Sequence, residues 1–104
     1  APTGYDILKM ATRGSARLLG RDDIGQLSVG KCADLFMIDS RRLELVGCDQ
    51  DAGSVLGTVG VRGPVDYTVV QGRVTVRQGH LVTVDEELVA WEANNKCRDY
   101  LANV

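Results

Sequence analysis

The chain has 104 residues, 44% of them apolar and 25% charged. That is one small unit, far short of the roughly 250 residues of a complete α/β barrel. With a mean hydropathy of -0.06 it has the make-up of an ordinary globular chain, which excludes collagenous and disordered classes. Twelve basic against fourteen acidic residues give a net charge of -2 with no run of like charges, so neither a nucleic acid nor an anionic membrane is an expected partner.

The chain starts at Ala1 without Met, which fits a processed chain or a piece of something longer. Thr3 and Asp6 read as the capped start of a helix carrying Ile7, Leu8, Met10, Ala11, Leu18 and Leu19 at helical spacing. Thr12-Arg13-Gly14-Ser15 interrupts it, predicting two short helices or one kinked helix that ends near Gly20. Arg21 to Lys31 is turn-rich, with a short extended piece expected around Ile24, Leu27 and Val29. Ala33 to Asp39 is apolar on both alternating faces, as in a central strand covered on both sides.

The signal weakens from Ser40 to Gly63. Leu43, Leu45 and Val46 could extend a strand, and Asp51 to Leu56 could form one or two helical turns capped by Asp51. Gln71-Gly72 as a two-residue hairpin loop pairs Val70 with Arg73, Val69 with Val74, Thr68 with Thr75, Tyr67 with Val76 and Asp66 with Arg77. That register gathers Val65, Tyr67, Val69, Val74 and Val76 on one face. Gln78-Gly79 is a second turn, followed by a brief extended segment at His80-Leu81-Val82. Asp85 caps a final helix, with Val84 and Val89 as a hydrophobic staple and Glu86 and Glu87 at the positive end of its dipole. Val89, Ala93, Cys97, Tyr100, Leu101 and Val104 form its apolar stripe. Helices at both ends with strands between them make an α+β unit.

Candidate chemistry is sparse. A catalytic zinc takes three protein ligands, and His80 is the only histidine, placed where an exposed strand-end residue is the default. Cys32, Cys48 and Cys97 are odd in number and widely spaced, which argues against a disulfide framework and favours a reducing cytoplasm. Cys97, on the apolar stripe, is expected to be buried and inert. Asp22-Asp23 and Asp85-Glu86-Glu87 could bind a hard cation, but a turn and a helix start already explain them. Gly25 to Gly30 lacks the context of a phosphate loop and reads as a turn. Trp91 and Tyr100 suggest packing. No residue is assigned as catalytic, cofactor-binding or metal-binding.

Three blocks carry a resemblance: Ile7 to Leu27, Gly30-Lys31-Cys32-Ala33-Asp34-Leu35-Phe36-Met37-Ile38-Asp39, and Val65 to Glu86. In order and spacing they resemble the C-terminal end of metal-dependent amidohydrolases, most of all the guanine and 8-oxoguanine deaminase and triazine chlorohydrolase branch. The resemblance implies that residues 1–20 are helical and barrel-derived, that 21–82 are part of a composite β-sandwich, and that 83–104 are a C-terminal helix packed outside. Gln71 stands where Asn is usual before the turn glycine. The family's His-x-His pair, later histidines and metal-binding aspartate match no position here, so no metal is expected in this chain, although zinc or iron serves the parent family. The expectation is a domain or fragment, catalytically silent alone, of an enzyme acting on carbon–nitrogen bonds of cyclic compounds such as purines or triazines. Its expected partners are the missing barrel or further copies of itself in a homodimer or higher homo-oligomer. The alternative is a free-standing, self-associating interaction module.

Overall fold

The computed structural model describes residues 1–104, the side chain of Asp49 apart. The N-terminal helix is built in three parts: α1 (Gly4–Lys9), a π-helical turn (Met10–Gly14) and α2 (Ser15–Leu18). Thr3 and Asp6 form a reciprocal capping box, the Asp6 amide donating to Thr3 Oγ1 at 3.1 Å and the Thr3 amide to Asp6 Oδ2 at 2.9 Å. The interruption expected at Thr12 to Ser15 is the π turn. Its hydroxyls bond back to the helix, Thr12 Oγ1 to the Leu8 carbonyl at 2.8 Å and Ser15 Oγ to the Met10 carbonyl at 3.4 Å. Such back-bonding competes with the regular ladder.

Four short strands follow: β1 (Leu35–Met37), β2 (Tyr67–Val70), β3 (Arg73–Arg77) and β4 (His80–Leu81). They form one antiparallel meander in chain order. Both Gln-Gly turns form, with φ of 50° at Gln71 and Gln78 and 77° and 81° at the glycines. Two successive positive φ values are the signature of a type I′ turn, whose twist suits a hairpin. Between β1 and β2 lie two 3-10 turns (Leu43–Leu45 and Cys48–Gln50) and α3 (Ala52–Thr58), the latter capped by Asp51 as expected. The chain ends in α4 (Glu86–Ala102), capped by Asp85 through the Leu88 amide at 3.1 Å.

Five expectations are corrected. Residues 21–31 form bends and turns, with no strand around Ile24, Leu27 and Val29. β1 is an edge of the sheet and not its centre, and Phe36 and Met37 are about half exposed, because β2 alone pairs with it. Leu43 to Val46 makes a 3-10 turn and extends no strand. The hairpin register holds only for Val70 with Arg73 and Val69 with Val74. Beyond them Thr68 pairs with Val76 and Tyr67 with Arg77, because Thr75 is the extra residue of a β-bulge. The Thr75 carbonyl turns to the Val82 amide at 2.9 Å, and its hydroxyl donates to the Thr68 carbonyl at 3.3 Å. Finally, Cys97 is exposed and no residue of α4 is buried, since the stripe on that helix has nothing packed against it.

The core is small: Ala16, Leu45 and Cys48 are the buried apolar side chains, at 4%, 6% and 8% exposure. The closest packing joins α1 to α3 through small residues. A Cβ on Gly4 would stand 2.9 Å from the Ser54 Cα, and one on Gly57 would stand 2.9 Å from the Gly4 Cα and overlap its carbonyl. Backbone meets backbone here, so neither helix can yield locally. Replacing Gly57→Ala is expected to cost about 1–3 kcal/mol through overpacking, more than the helix propensity it gains. Thermal unfolding of the two proteins checks this, and an unchanged or raised midpoint would contradict the contact.

Candidate functional site

Two surface features remain once the fold is accounted for. One is a set of polar groups that fasten loops to strands. The other is a broad apolar groove.

The Asp34 carboxylate accepts the Gln71 amide at 2.7 Å while the Ala33 carbonyl accepts the Gly72 amide at 3.0 Å, so the Ala-Asp pair holds the tip of the β2–β3 hairpin. At the opposite end Asp66 accepts the Asp39 amide at 2.6 Å and Arg42 at 3.1 Å. The bond from the Asp39 backbone, with Arg42 beside it, lowers the Asp66 pKa from its ordinary value. Arg41 binds Asp39 in bidentate fashion at 3.0 and 2.9 Å and holds that carboxyl at about 2. Asp23 is likewise held at about 2, first by the Arg21 fork at 2.9 and 2.8 Å and then by the Cys32 thiol, whose own pKa this contact raises. A thiol that donates to a carboxylate is the opposite of an activated nucleophile.

The candidates from the sequence are therefore scattered over the fold. Asp22 lends its carbonyl to Lys31, and Asp23 is spent on Arg21 and Cys32. Cys48 lies in the small core and Cys97 on exposed α4. Gly25, at φ 90°, is seated against the helix, where a Cβ would stand 2.8 Å from Ala16 Cβ and 2.9 Å from the Thr12 carbonyl. The Gly25 to Gly30 loop is thus a packing element. His80 is exposed, and its Nδ1 lies 2.9 Å from Glu86 Oε1, which also accepts the Leu81 amide at 3.2 Å. Asp85 caps α4. Trp91 and Tyr100 are both exposed.

The groove runs between the N-terminal helix, the loop at Ile24 to Ser28 and β1. It encloses a cavity of about 670 Å³, with Leu8, Ala16, Ile24, Leu27, Leu35 and Phe36 among its lining. Its apolar walls mark a packing surface. The chain as a whole exposes 8332 Å², against about 5,700 Å² expected for a folded monomer of 11.2 kDa. Its radius of gyration is 18.0 Å, where a compact chain of this length has about 13 Å. The surplus of about 2,600 Å² includes Leu19, Leu27, Phe36, Met37 and Leu43, all well exposed.

Residues 3–76 match the model of the amidohydrolase family. Hydroxydechloroatrazine ethylaminohydrolase of Pseudomonas sp. (strain ADP) is 43% identical over 93% of this chain and 20% of its own length. A 5-methylthioadenosine/S-adenosylhomocysteine deaminase of Desulforudis audaxviator (strain MP104C) is 36% identical over 99% of this chain and 24% of its own. Among solved structures, atrazine chlorohydrolase from Arthrobacter aurescens TC1, complexed with zinc, superposes with a TM-score of 0.78 at 32% identity, covering 89% of this chain and 20% of that one. The chain thus spans about a fifth to a quarter of the length of these relatives.

A zinc ion does not fit the donors present. Among the described residues no three His, Cys, Asp or Glu side chains gather as a metal site, and the one imidazole–carboxylate pair, His80 with Glu86, lies open on the surface. No helix of the structure is long and apolar enough to cross a membrane.

Two expectations follow from the polar set. Folded Asp23 and Asp39 titrate below the unfolded value of about 3.9, so the stability they confer is whole above about pH 4 and is lost as pH falls through about 2. Urea midpoints of the wild type should decline across that window, and Asp23→Asn should decline less steeply; parallel curves would contradict the Arg21 pairing. Asp34→Ala should speed hydrogen exchange at the Gln71 amide several-fold, about 1 kcal/mol of lost protection, whereas Asp34→Asn keeps an acceptor and loses less. From the match of residues 3–76 to the family model and the identity to these relatives, the chain belongs to the amidohydrolase family.

Proposed function

We propose that this chain is the C-terminal portion of a metal-dependent amidohydrolase, and that the whole protein hydrolyses a carbon–nitrogen bond, other than a peptide bond, in a cyclic nitrogen compound of the triazine or purine type. The observation that carries this reading is the surplus of exposed surface, about 2,600 Å² beyond what a self-contained chain of this mass shows, with large apolar side chains such as Leu19, Leu27 and Phe36 well exposed within it. That surplus suits a segment whose groove and β1 edge are covered by the rest of an enzyme. On this reading the meander is one half of a composite β-sandwich, and a strand from elsewhere in the protein pairs with the free edge of Leu35–Met37. The metal and the groups that activate its water belong to the barrel. The residues described here supply position and support, and none is given a chemical step.

The names of the relatives support this substrate class. One relative is an ethylaminohydrolase of hydroxydechloroatrazine and another a deaminase of 5-methylthioadenosine and S-adenosylhomocysteine. Both names denote removal of an amine from a nitrogen-rich ring.

The polypeptide that joins this segment to a barrel should release ammonia or an alkylamine from aminated triazines or adenine nucleosides in a zinc-dependent way, whereas the 104-residue chain supplied with zinc should release none. Turnover by the short chain at an enzymatic rate would overturn the proposal. In the joined polypeptide the amides around Leu27 and Phe36 should exchange with solvent at least tenfold more slowly than in the short chain. Equal exchange would remove the groove as the covered surface.

A further inference from the structure

The groove between the N-terminal helix, the Ile24 to Ser28 loop and β1 has an apolar floor and a cationic wall. Lys9 and Arg13 stand on that wall four residues apart, neighbours along one side of the helix. The acidic side chains on these elements are already committed. Asp34, on the β1 side, accepts the Gln71 amide at 2.7 Å, and its charge favours the Arg21 cation. Asp6, before Lys9 on the helix, is closed into the capping box by the Thr3 amide at 2.9 Å. Thr12 and Ser15, which also line the groove, turn their hydroxyls back onto the Leu8 and Met10 carbonyls.

The two cations are uncommitted. Lys9 holds its ammonium 4.7 Å from the centre of the Tyr5 ring and makes no ion pair among the described residues. Among the same residues, Arg13 has neither an ion pair nor a hydrogen-bond acceptor for its guanidinium. An element that seals the apolar floor also takes water away from this wall. A lysine can extend its ammonium along its stem back to solvent. A guanidinium keeps its proton at every working pH, so a purely apolar cover would strand a charge without a counter-ion. Its donors form a planar fork that matches the two oxygens of a carboxylate.

We infer that the element covering the groove is acidic as well as apolar: it sets an Asp or Glu carboxylate against Arg13, with Lys9 beside it, and aliphatic side chains over Leu27 and Phe36. The carboxylate comes from the portion of the enzyme outside these 104 residues. The matched relatives carry most of their length outside this portion, so the same polypeptide offers the cover at the highest effective concentration. The inference rests on the reading of the groove as a surface covered in the whole protein, and adds the charge that its cover carries.

Carbodiimide coupling in the polypeptide that joins this segment to a barrel tests it. The reagent condenses an ammonium and a carboxylate in contact into an amide, taking up the water as a urea. It should link position 13 in Arg13→Lys to an Asp or Glu outside this segment, identified by peptide mass. Suppose the Leu27 and Phe36 amides are protected but position 13 links to Asp6 or Asp34, links two chains together, or links to nothing. Each of those results would overturn the inference and leave the covered groove standing. Unprotected Leu27 and Phe36 amides would remove the cover itself, and the inference with it. Arg13→Glu in the joined polypeptide should speed exchange at those amides at least tenfold. Arg17→Glu, further along the same helix and outside the groove lining, should change it less than twofold. Equal effects of the two reversals would overturn the inference as well. In the 104-residue chain Arg13→Glu should leave helix content and exchange at these amides unchanged, which separates a lost cover from a damaged fold.

Discussion

The sheet depends on two aspartates that close the space between β1 and the β2–β3 hairpin from opposite ends. Asp34 holds the hairpin tip through the Gln71 amide, and Asp66 holds the Asp39 amide where β1 ends. β1 is only three residues long and pairs with a single neighbour. So short a strand contributes few ladder bonds, and carboxylates on backbone amides are stronger than neutral bonds of the same length. The Gly-Lys-Cys-Ala-Asp-Leu block thus has a mechanical meaning: its aspartate is a clasp, and the leucine after it begins the strand that the clasp positions.

Much of this was legible in the residues. Capping boxes, type I′ turns and helix N-caps are local, and Thr3, Asp51, Asp85 and both Gln-Gly pairs stand where their chemistry placed them. The failures share one cause, which is partner-dependence. Alternation across Val69 and Val74 is blind to an inserted residue, so the bulge at Thr75 could not be seen. Residues 33–39 have the composition of a strand covered on both sides, yet here they form an edge. Cys97 belongs to an apolar stripe and is nevertheless exposed. Sequence records what a face is built to touch, and the structure of this chain shows which of those faces its own residues reach.

The candidate site follows the same division. Titratable residues that looked chemically suggestive are engaged in holding turns and helix ends, as with Asp23 under Arg21 and Glu86 beside His80. The large groove is lined by apolar side chains together with Lys9, Arg13 and Asp34, and among the described residues no group of His, Cys, Asp and Glu gathers as a metal site. Family membership and the absence of a reactive cluster among the described residues therefore agree without strain, since this segment corresponds to a fifth to a quarter of the relatives it resembles.

The two Gln-Gly turns also bear on how the molecule assembles. Residues 67–81 need only two short loops to bring three strands together, and such hairpins close on a microsecond scale. β1 must wait for a connection of some thirty residues, and the Gly4–Gly57 junction for more than fifty, to lose their loop entropy. The doubled hairpin is accordingly the natural nucleus, onto which the remaining parts condense in order of their distance along the chain.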